Sequence, residues 1–175
     1  LAHYLVQVAR AHPFGERCAF HVSVQRNGGV HLPRMARFLL LNGPNLNLIG
    51  RREPEVYGTR RFDELLEELH TAFPGHQFEL RQSNVEGTLI DLLQQADGAY
   101  AGIVFNPAGF SHTSVAIRDA LAALRTPVVE VHISNIHARE EFRERSLTAP
   151  VCAGVISGLG LDGYRLAVDH LLRRG

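Results

Sequence analysis

The chain has 175 residues, of which 45% are hydrophobic and 21% charged, and its formal net charge is zero. This length and composition fit one globular domain with a sizeable core. The balanced charge gives no indication of binding to nucleic acid or to a membrane surface, and no apolar run is long enough to span a bilayer. All 18 basic residues are arginine, so this chain can form neither a lysine Schiff base nor a P-loop lysine contact.

Residues 1–34 differ in charge from the rest of the chain. They carry four arginines and one glutamate, whereas residues 35–175 carry fourteen arginines and seventeen acidic residues. We predict that residues 1–34 are an N-terminal extension with no part in catalysis, and that residues 35–175 form the functional domain. Cys18 and Cys152 lack the spacing of a metal or redox motif, which favours a reducing cytoplasm as the location.

Strand-like and helix-like segments alternate from residue 35 onward. Apolar runs predict buried strands at residues 38–41, 77–82, 103–105, 127–131 and 151–156. Apolar residues at helical spacing separate these runs, and Ser83 and Glu86 have the spacing of a capping box. This alternation predicts an α/β fold with a parallel five-stranded sheet that helices cover on both faces.

A long polar loop follows the first predicted strand. It begins at Asn42-Gly43-Pro44, a strong turn signal, and no helical pattern resumes before Phe62. Long loops in compact domains are usually functional or disordered, and open α/β sheets bind ligands at the carboxyl ends of their strands. We therefore predict that this loop is half of an active site, with a mobile lid.

The same loop contains Arg51, Arg52 and Tyr57. Free tyrosine has a pKa of about 10, and lowering it to about 7 takes roughly 4 kcal/mol of preferential stabilisation of the phenolate. A guanidinium within about 4–6 Å can supply much of this. On spacing alone, a surface tyrosine in a basic loop is the better explanation. The catalytic reading is preferred because two further strand ends also carry paired polar groups.

The second such strand end leads into the segment from Asn106 to Ser114. A helix that begins here would offer free N–H groups to an anion, and Asn106 and His112 would add side-chain hydrogen bonds. Alternatively, Ser111 or Thr113 merely caps the helix. The two roles are compatible, and we expect both.

The third strand end carries Glu130 and His132, which share one face of a strand because they are two residues apart. A carboxylate can orient an imidazole and favour imidazolium, which makes a general acid. A solvated ion pair is an equally good explanation of this segment alone. Glu130, His132 and His137 do not have a usual zinc-ligand pattern, so no metal site is predicted. Arg143 belongs to a solvated helix face or turns inward to bind substrate hydroxyls.

Gly158 to Gly163 matches the pattern G-x-G-x-x-G between a strand and a helix, which is the usual context of a dinucleotide site. Only twelve residues follow Gly163 in this sequence. A further strand with a ribose-binding acid does not fit in that length. We therefore interpret these glycines as structural residues of a tight turn.

These segments together closely resemble type II 3-dehydroquinate dehydratase. The matching stretches cover essentially the whole chain from Arg37 onward: 42–46, 50–58, 81–87, 106–119, 130–142 and 155–160. The resemblance implies a flavodoxin-like three-layer fold with strand order 2-1-3-4-5. It also implies trimers that usually pack into dodecamers, and dehydration of 3-dehydroquinate to 3-dehydroshikimate without a cofactor.

The resemblance also implies a role for each matching residue. Tyr57 would be the base, Arg52 would hold it as phenolate, and Asn45 would position a water that stabilises the enolate. His132, oriented by Glu130, would protonate the departing hydroxyl. The expected substrate-binding groups are Asn106, His112, Arg143, the backbone of Ile133 and Ser134, and Asp119 of a neighbouring subunit.

Two alternatives fit the predicted fold. The first is a non-enzymatic flavodoxin-like module, which would either bind flavin or carry an acidic phosphoacceptor cluster where this chain has asparagines. A homologue that keeps the fold without turnover is the second alternative, which the presence of Arg52, Tyr57 and His132 disfavours. A dehydratase of this family would serve either aromatic biosynthesis or quinate breakdown.

Overall fold

A computed structural model describes residues 35–49 and 61–174. Within them, five strands form one parallel sheet: β1 (Arg37–Asn42), β2 (Gln77–Gln82), β3 (Gly102–Asn106), β4 (Val128–His132) and β5 (Gly154–Ser157). The strand order is β2-β1-β3-β4-β5. The predicted α/β class and the strand order implied by the resemblance are both confirmed.

The helices in the described residues are α1 (Phe62–Ala72), α2 (Glu86–Ala96), α3 (Phe110–Thr113), α4 (Val115–Ala123), α5 (Glu141–Glu144) and α6 (Asp162–Arg174). Short 3₁₀ turns occur at Leu46–Leu48, Ile136–Ala138 and Ala149–Val151. No helix in residues 35–49 and 61–174 is long and apolar enough to cross a membrane.

The core lies in two layers because successive strand residues point to opposite faces of the sheet. Phe38 and Leu40 of β1 pack in one cluster with side chains of α1 and α6. Leu39 and Leu41 pack in the other cluster with side chains of α2 and α4. Both faces of β1 are therefore covered, which explains why this strand is an unbroken apolar run rather than an alternating one.

Two local predictions were wrong. The hydroxyl of Ser83 accepts from the N–H of Val85 at 3.0 Å, two residues on, and α2 begins only at Glu86. This turn replaces the predicted capping box. The fifth strand begins at Gly154 rather than at residue 151, because Ala149–Val151 forms a 3₁₀ turn with a proline in it. The extension at residues 1–34 lies outside the described residues, so its separate status stays a prediction.

Candidate active site

A cavity of about 290 Å³ lies at the carboxyl ends of β1, β3 and β4. The segments that follow these three strands line it, as the sequence predicted. The expected site residues among its lining are Asn45, Asn106, His112, His132, Ile133, Ser134 and Arg143. The loop after β1 contributes only its described part, up to Ile49.

The ends of β1 and β3 lie side by side at the cavity. Asn42 and Asn106 are register partners, and the N–H of Gly43 donates to the carbonyl of Asn106 at 2.7 Å. A Cβ on Gly43 would lie 2.5 Å from the carbonyl oxygen of Pro107. Glycine is therefore required here by the close approach of two backbones, which holds both strand ends at one site.

Glu130 and His132 form a buried pair at the end of β4. His132 Nε2 lies 2.7 Å from Glu130 Oε1, and the two residues are only 5% and 0% exposed. The solvated alternative is therefore wrong for this pair. Because Nε2 is engaged by the carboxylate, Nδ1 is the ring nitrogen left for a ligand in the cavity.

His112 is held next to His132. Their ring centroids are 6.5 Å apart, with an angle of 21° between the planes. His112 Nδ1 lies 2.8 Å from the carbonyl oxygen of Arg145. A carbonyl oxygen only accepts, so Nδ1 carries the hydrogen, and Nε2 of the neutral ring is an acceptor for a ligand hydroxyl.

Asn106 is held by a buried chain of hydrogen bonds that sequence reasoning did not find. Its Oδ1 accepts from the N–H of Ala108 at 3.1 Å, and its Nδ2 donates to Tyr164 Oη at 3.0 Å. The hydroxyl of Tyr164 donates in turn to Asn42 Oδ1 at 2.7 Å. These contacts fix which end of the Asn106 amide is the donor, and one N–H of that amide stays available to a ligand.

The glycine turn after β5 orients the backbone at the end of β4. The N–H groups of Gly158 and Gly160 donate to the carbonyls of His132 and Ile133 at 3.1 and 3.0 Å. In a trans peptide the N–H points away from the carbonyl, so the N–H groups of Ile133 and Ser134 point away from this turn. Both glycines have positive φ, 86° and 59°, which supports the structural reading of the motif.

The prediction that a helix amino end offers free N–H groups to an anion was wrong. α3 is a single turn, and the N–H groups of Phe110, Ser111 and His112 donate to the carbonyls of residues 107–109. The alternative that Ser111 or Thr113 caps this helix was also wrong, because α3 has no side-chain cap. Ser114 caps the next helix, α4, by accepting from the N–H of Ile117 at 2.8 Å.

Arg143 on α5 lines the cavity with its side chain 29% exposed. Its Nε lies 3.1 Å from Glu140 Oε2, and its guanidinium carbon lies 5.0 Å from the centre of the Phe142 ring. The side chain therefore lies at the rim of the cavity beside an acidic and an aromatic neighbour, and its Nε makes no hydrogen bond. Its position agrees with the inward alternative rather than with a fully solvated helix face.

The other predicted site residues lie elsewhere. Asp119 on α4 is not among the residues that line the cavity; its carboxylate is exposed and lies 3.3 Å from Arg118 Nη1. Arg52 and Tyr57 lie outside the described residues, as does the predicted lid. Asn45 is described and has a left-handed backbone with φ of 65°, and its N–H donates to Asn84 Oδ1 at 3.0 Å.

Two observations bear on alternative ligands. Asn42 and Asn106 end β1 and β3, where a phosphoacceptor module would need carboxylates. Among residues 35–49 and 61–174, no three histidine, cysteine or acidic side chains are grouped closely enough to hold a metal ion. The groups gathered at the cavity are amides, imidazoles, backbone N–H groups and the guanidinium groups of Arg139 and Arg143, which suit a small ligand with carboxylate and hydroxyl groups.

Comparison with known proteins gives a consistent result. The family model described as Dehydroquinase class II matches residues 36–172. A 3-dehydroquinate dehydratase of Anoxybacillus flavithermus is 56% identical over 140 residues, which are 79% of this chain and 95% of that protein. The 3-dehydroquinate dehydratase 2 of Pseudomonas aeruginosa is 55% identical over 139 residues, 78% of this chain and 93% of that protein. The crystal structure of a type II dehydroquinase from Butyrivibrio crossotus matches with a TM-score of 0.74 and 45% identity, covering 78% of this chain and 97% of that one.

Proposed function

The chain belongs to the class II dehydroquinase family and is a 3-dehydroquinate dehydratase, and we propose that it acts by anti elimination through an enolate. A tyrosinate removes a proton from C2, and a histidine protonates the departing C1 hydroxyl. The reaction uses no metal, no cofactor and no Schiff base. The observation that supports this assignment best is the buried Glu130–His132 pair beside the cavity.

The base in this proposal is Tyr57, and Arg52 holds it as phenolate. Proton loss beside a ketone needs a strong base, which a phenolate close to a guanidinium provides. The enolate that forms carries charge on the ketone oxygen, and a water positioned by Asn45 stabilises it. Asn45 lies on the described part of the same loop.

The acid is His132. With Nε2 against the Glu130 carboxylate, Nδ1–H of the imidazolium gives its proton to the C1 hydroxyl, which leaves as water. The step leaves Tyr57 protonated and His132 neutral. A proton transfer from the phenol to the imidazole, through water, restores both groups for the next turnover.

The remaining groups bind the substrate. The Asn106 amide and the N–H groups of Ile133 and Ser134 bind its carboxylate, and His112 and Arg143 bind its ring hydroxyls. The hydrogen-bond acceptor at His112 Nε2 and the fixed donor end of Asn106 suit these partners.

We also propose that the site is completed in a homotrimer, and that trimers assemble into dodecamers as tetramers of trimers. Asp119 would then reach the substrate of a neighbouring subunit. Its exposed position on α4, outside the cavity of its own chain, is compatible with this role. A cytoplasmic location remains an expectation from the cysteine pattern.

The test is an assay with 3-dehydroquinate in the presence of a chelator, which follows the ultraviolet absorbance of the conjugated enone product. The wild-type chain is expected to turn over, and Tyr57→Phe is expected to lose all measurable activity because the phenyl ring cannot accept the C2 proton. Far-ultraviolet circular dichroism would check that the variant is folded.

Tyr100→Phe is the matched control. Tyr100 lies just before β3, at the end of the sheet opposite the cavity, and its hydroxyl donates to Glu79. This variant should keep wild-type activity. Normal turnover in Tyr57→Phe would remove Tyr57 as the base, and an inactive wild-type protein would refute the function itself.

A further inference from the structure

The Glu130 carboxylate accepts hydrogen bonds from two hydroxyl groups in addition to its contact with His132. This residue is 0% exposed, and Oε1 accepts from Ser146 Oγ at 2.8 Å in addition to His132 Nε2. Oε2 accepts from Thr148 Oγ1 at 2.5 Å. A carboxylate that accepts several hydrogen bonds is stabilised in its charged form, whereas an unpaired buried carboxylate is strongly disfavoured.

The segment that supplies these hydroxyls also contacts the other histidine of the cavity. Residues 145–148, here called the brace, follow α5. The carbonyl of Arg145 accepts from His112 Nδ1 at 2.8 Å, and the N–H of Leu147 donates to the carbonyl of Ser111 at 2.7 Å. The brace is therefore connected to both imidazoles, to His112 by a direct hydrogen bond and to His132 through Glu130.

We propose that Ser146 and Thr148 are positioning residues for the dehydration, a role that rests on the proposed function of His132. Their hydroxyls hold the Glu130 carboxylate in one rotamer, and Glu130 in turn keeps Nε2–H of His132 directed inward and Nδ1 directed at the leaving hydroxyl. Neither hydroxyl touches the substrate. Ser146 is itself fixed, because its Oγ accepts from the N–H of Ala149 at 3.0 Å.

The test compares two substitutions of the same residue. Thr148→Val removes the hydroxyl at nearly constant shape, and Thr148→Ser keeps it. In Thr148→Val we expect kcat to fall about 10- to 100-fold, as for other residues that orient a catalytic group, with KM changed by less than about twofold. In Thr148→Ser we expect kcat within about threefold of the wild-type value, since the charge-assisted hydrogen bond is retained.

Three kinetic results would overturn the proposal. These are an unchanged kcat in Thr148→Val, an equal loss in both variants, which would indicate packing, or an effect on KM alone. Thermal unfolding of each variant shows whether it is folded. Should Thr148→Val fail to fold, Ser146→Ala takes its place, with the same expected fall in kcat.

A spectroscopic measurement separates this proposal from the function on which it rests. In protein labelled with ¹⁵N-histidine, the ring nitrogen shifts of His132 report where its protons lie, and their loss in His132→Gln identifies them. We expect these shifts to change in Thr148→Val and to stay at wild-type values in Thr148→Ser, with no substrate present. Unchanged shifts in Thr148→Val would refute the positioning role of Thr148. An inactive wild-type protein would instead refute the proposed function.

Discussion

Glu130 affects more than the imidazole that it orients. The Cys152 thiol lies 3.9 Å from Glu130 Oε2 and is half-buried. Burial, and then the neighbouring negative charge, raise the pKa of this thiol to about 12 from its ordinary value of 9.0. The negative charge of Glu130 thus disfavours ionisation of the neighbouring thiol, because the thiolate would carry a charge of the same sign.

This gives a prediction at the scale of one residue. At pH 8 only about one Cys152 thiol in 10⁴ is ionised in the folded chain, so iodoacetamide should alkylate it slowly. The rate should keep rising through pH 9 to 11, whereas in the urea-unfolded chain it should level off above about pH 9. A Cys18→Ser background isolates the reaction of Cys152. A plateau near pH 9 in the folded chain would contradict the raised pKa.

The raised pKa of Cys152 also determines how this thiol changes the stability of the fold with pH. Because the pKa of the folded thiol lies above its ordinary value of 9.0, the folded chain holds this proton more tightly than the unfolded chain. The thiol therefore stabilises the fold below pH 9, and this contribution is lost as the pH rises toward 12.

At the scale of the elements, the backbone after β1 lies so close to the backbone after β3 that only glycine fits at position 43. The turn after β1 passes against the backbone after β3, and a Cβ at Gly43 would meet the carbonyl of Pro107. By contrast, Gly87 in α2 has nothing within 4 Å of the position where a Cβ would lie. Packing therefore requires glycine at position 43, whereas position 87 has room for a side chain.

Alanine at these two positions should have opposite effects. Gly43→Ala is expected to lower the free energy of unfolding by about 1–3 kcal/mol, because backbone must move to relieve the clash. Gly87→Ala is expected to raise it by up to about 1 kcal/mol through the higher helix propensity of alanine. Urea unfolding of both variants measures the difference. Equal stability of Gly43→Ala and the wild type would show that the strand ends separate easily.

At the scale of the whole molecule, α6 is connected to the candidate active site through one side chain. Tyr164 is fully buried on this helix, and its hydroxyl lies between Asn42 and Asn106 at the ends of two strands. Burial raises the pKa of Tyr164, so the hydroxyl stays protonated and can donate and accept at once.

Tyr164→Phe should therefore destabilise the fold although it removes a single oxygen. It leaves a buried amide oxygen and a buried amide N–H without this partner, which costs about 1–3 kcal/mol. Tyr100→Phe should cost less, because Glu79 is partly exposed to water and keeps its ion pairs with Arg37 and Arg81. Chemical denaturation of both variants tests this. A loss in Tyr164→Phe no larger than in Tyr100→Phe would show that the buried network contributes little.

Several features were determined by the sequence itself. The apolar runs and helical periodicities predicted the alternating strands and helices, and polar residues after three of the runs indicated the end of the sheet at which the cavity lies. These signals are local, since a buried strand and an amphipathic helix each impose their own spacing on neighbouring residues. The strand order was implied only by the resemblance, because a sequence of alternating strands and helices does not determine which strands are neighbours in the sheet.

The tertiary structure decided the partners of the site residues. Glu130 meets hydroxyls 16 and 18 positions away, and Tyr164 meets Asn42 across 122 positions. The N–H groups at the end of β4 are oriented by a glycine turn that the sequence alone could only describe as structural. Such contacts have no local signature, because they depend on where loops place side chains once the sheet has formed. Serine, threonine and tyrosine in a sequence are compatible with many environments, and only packing selects one.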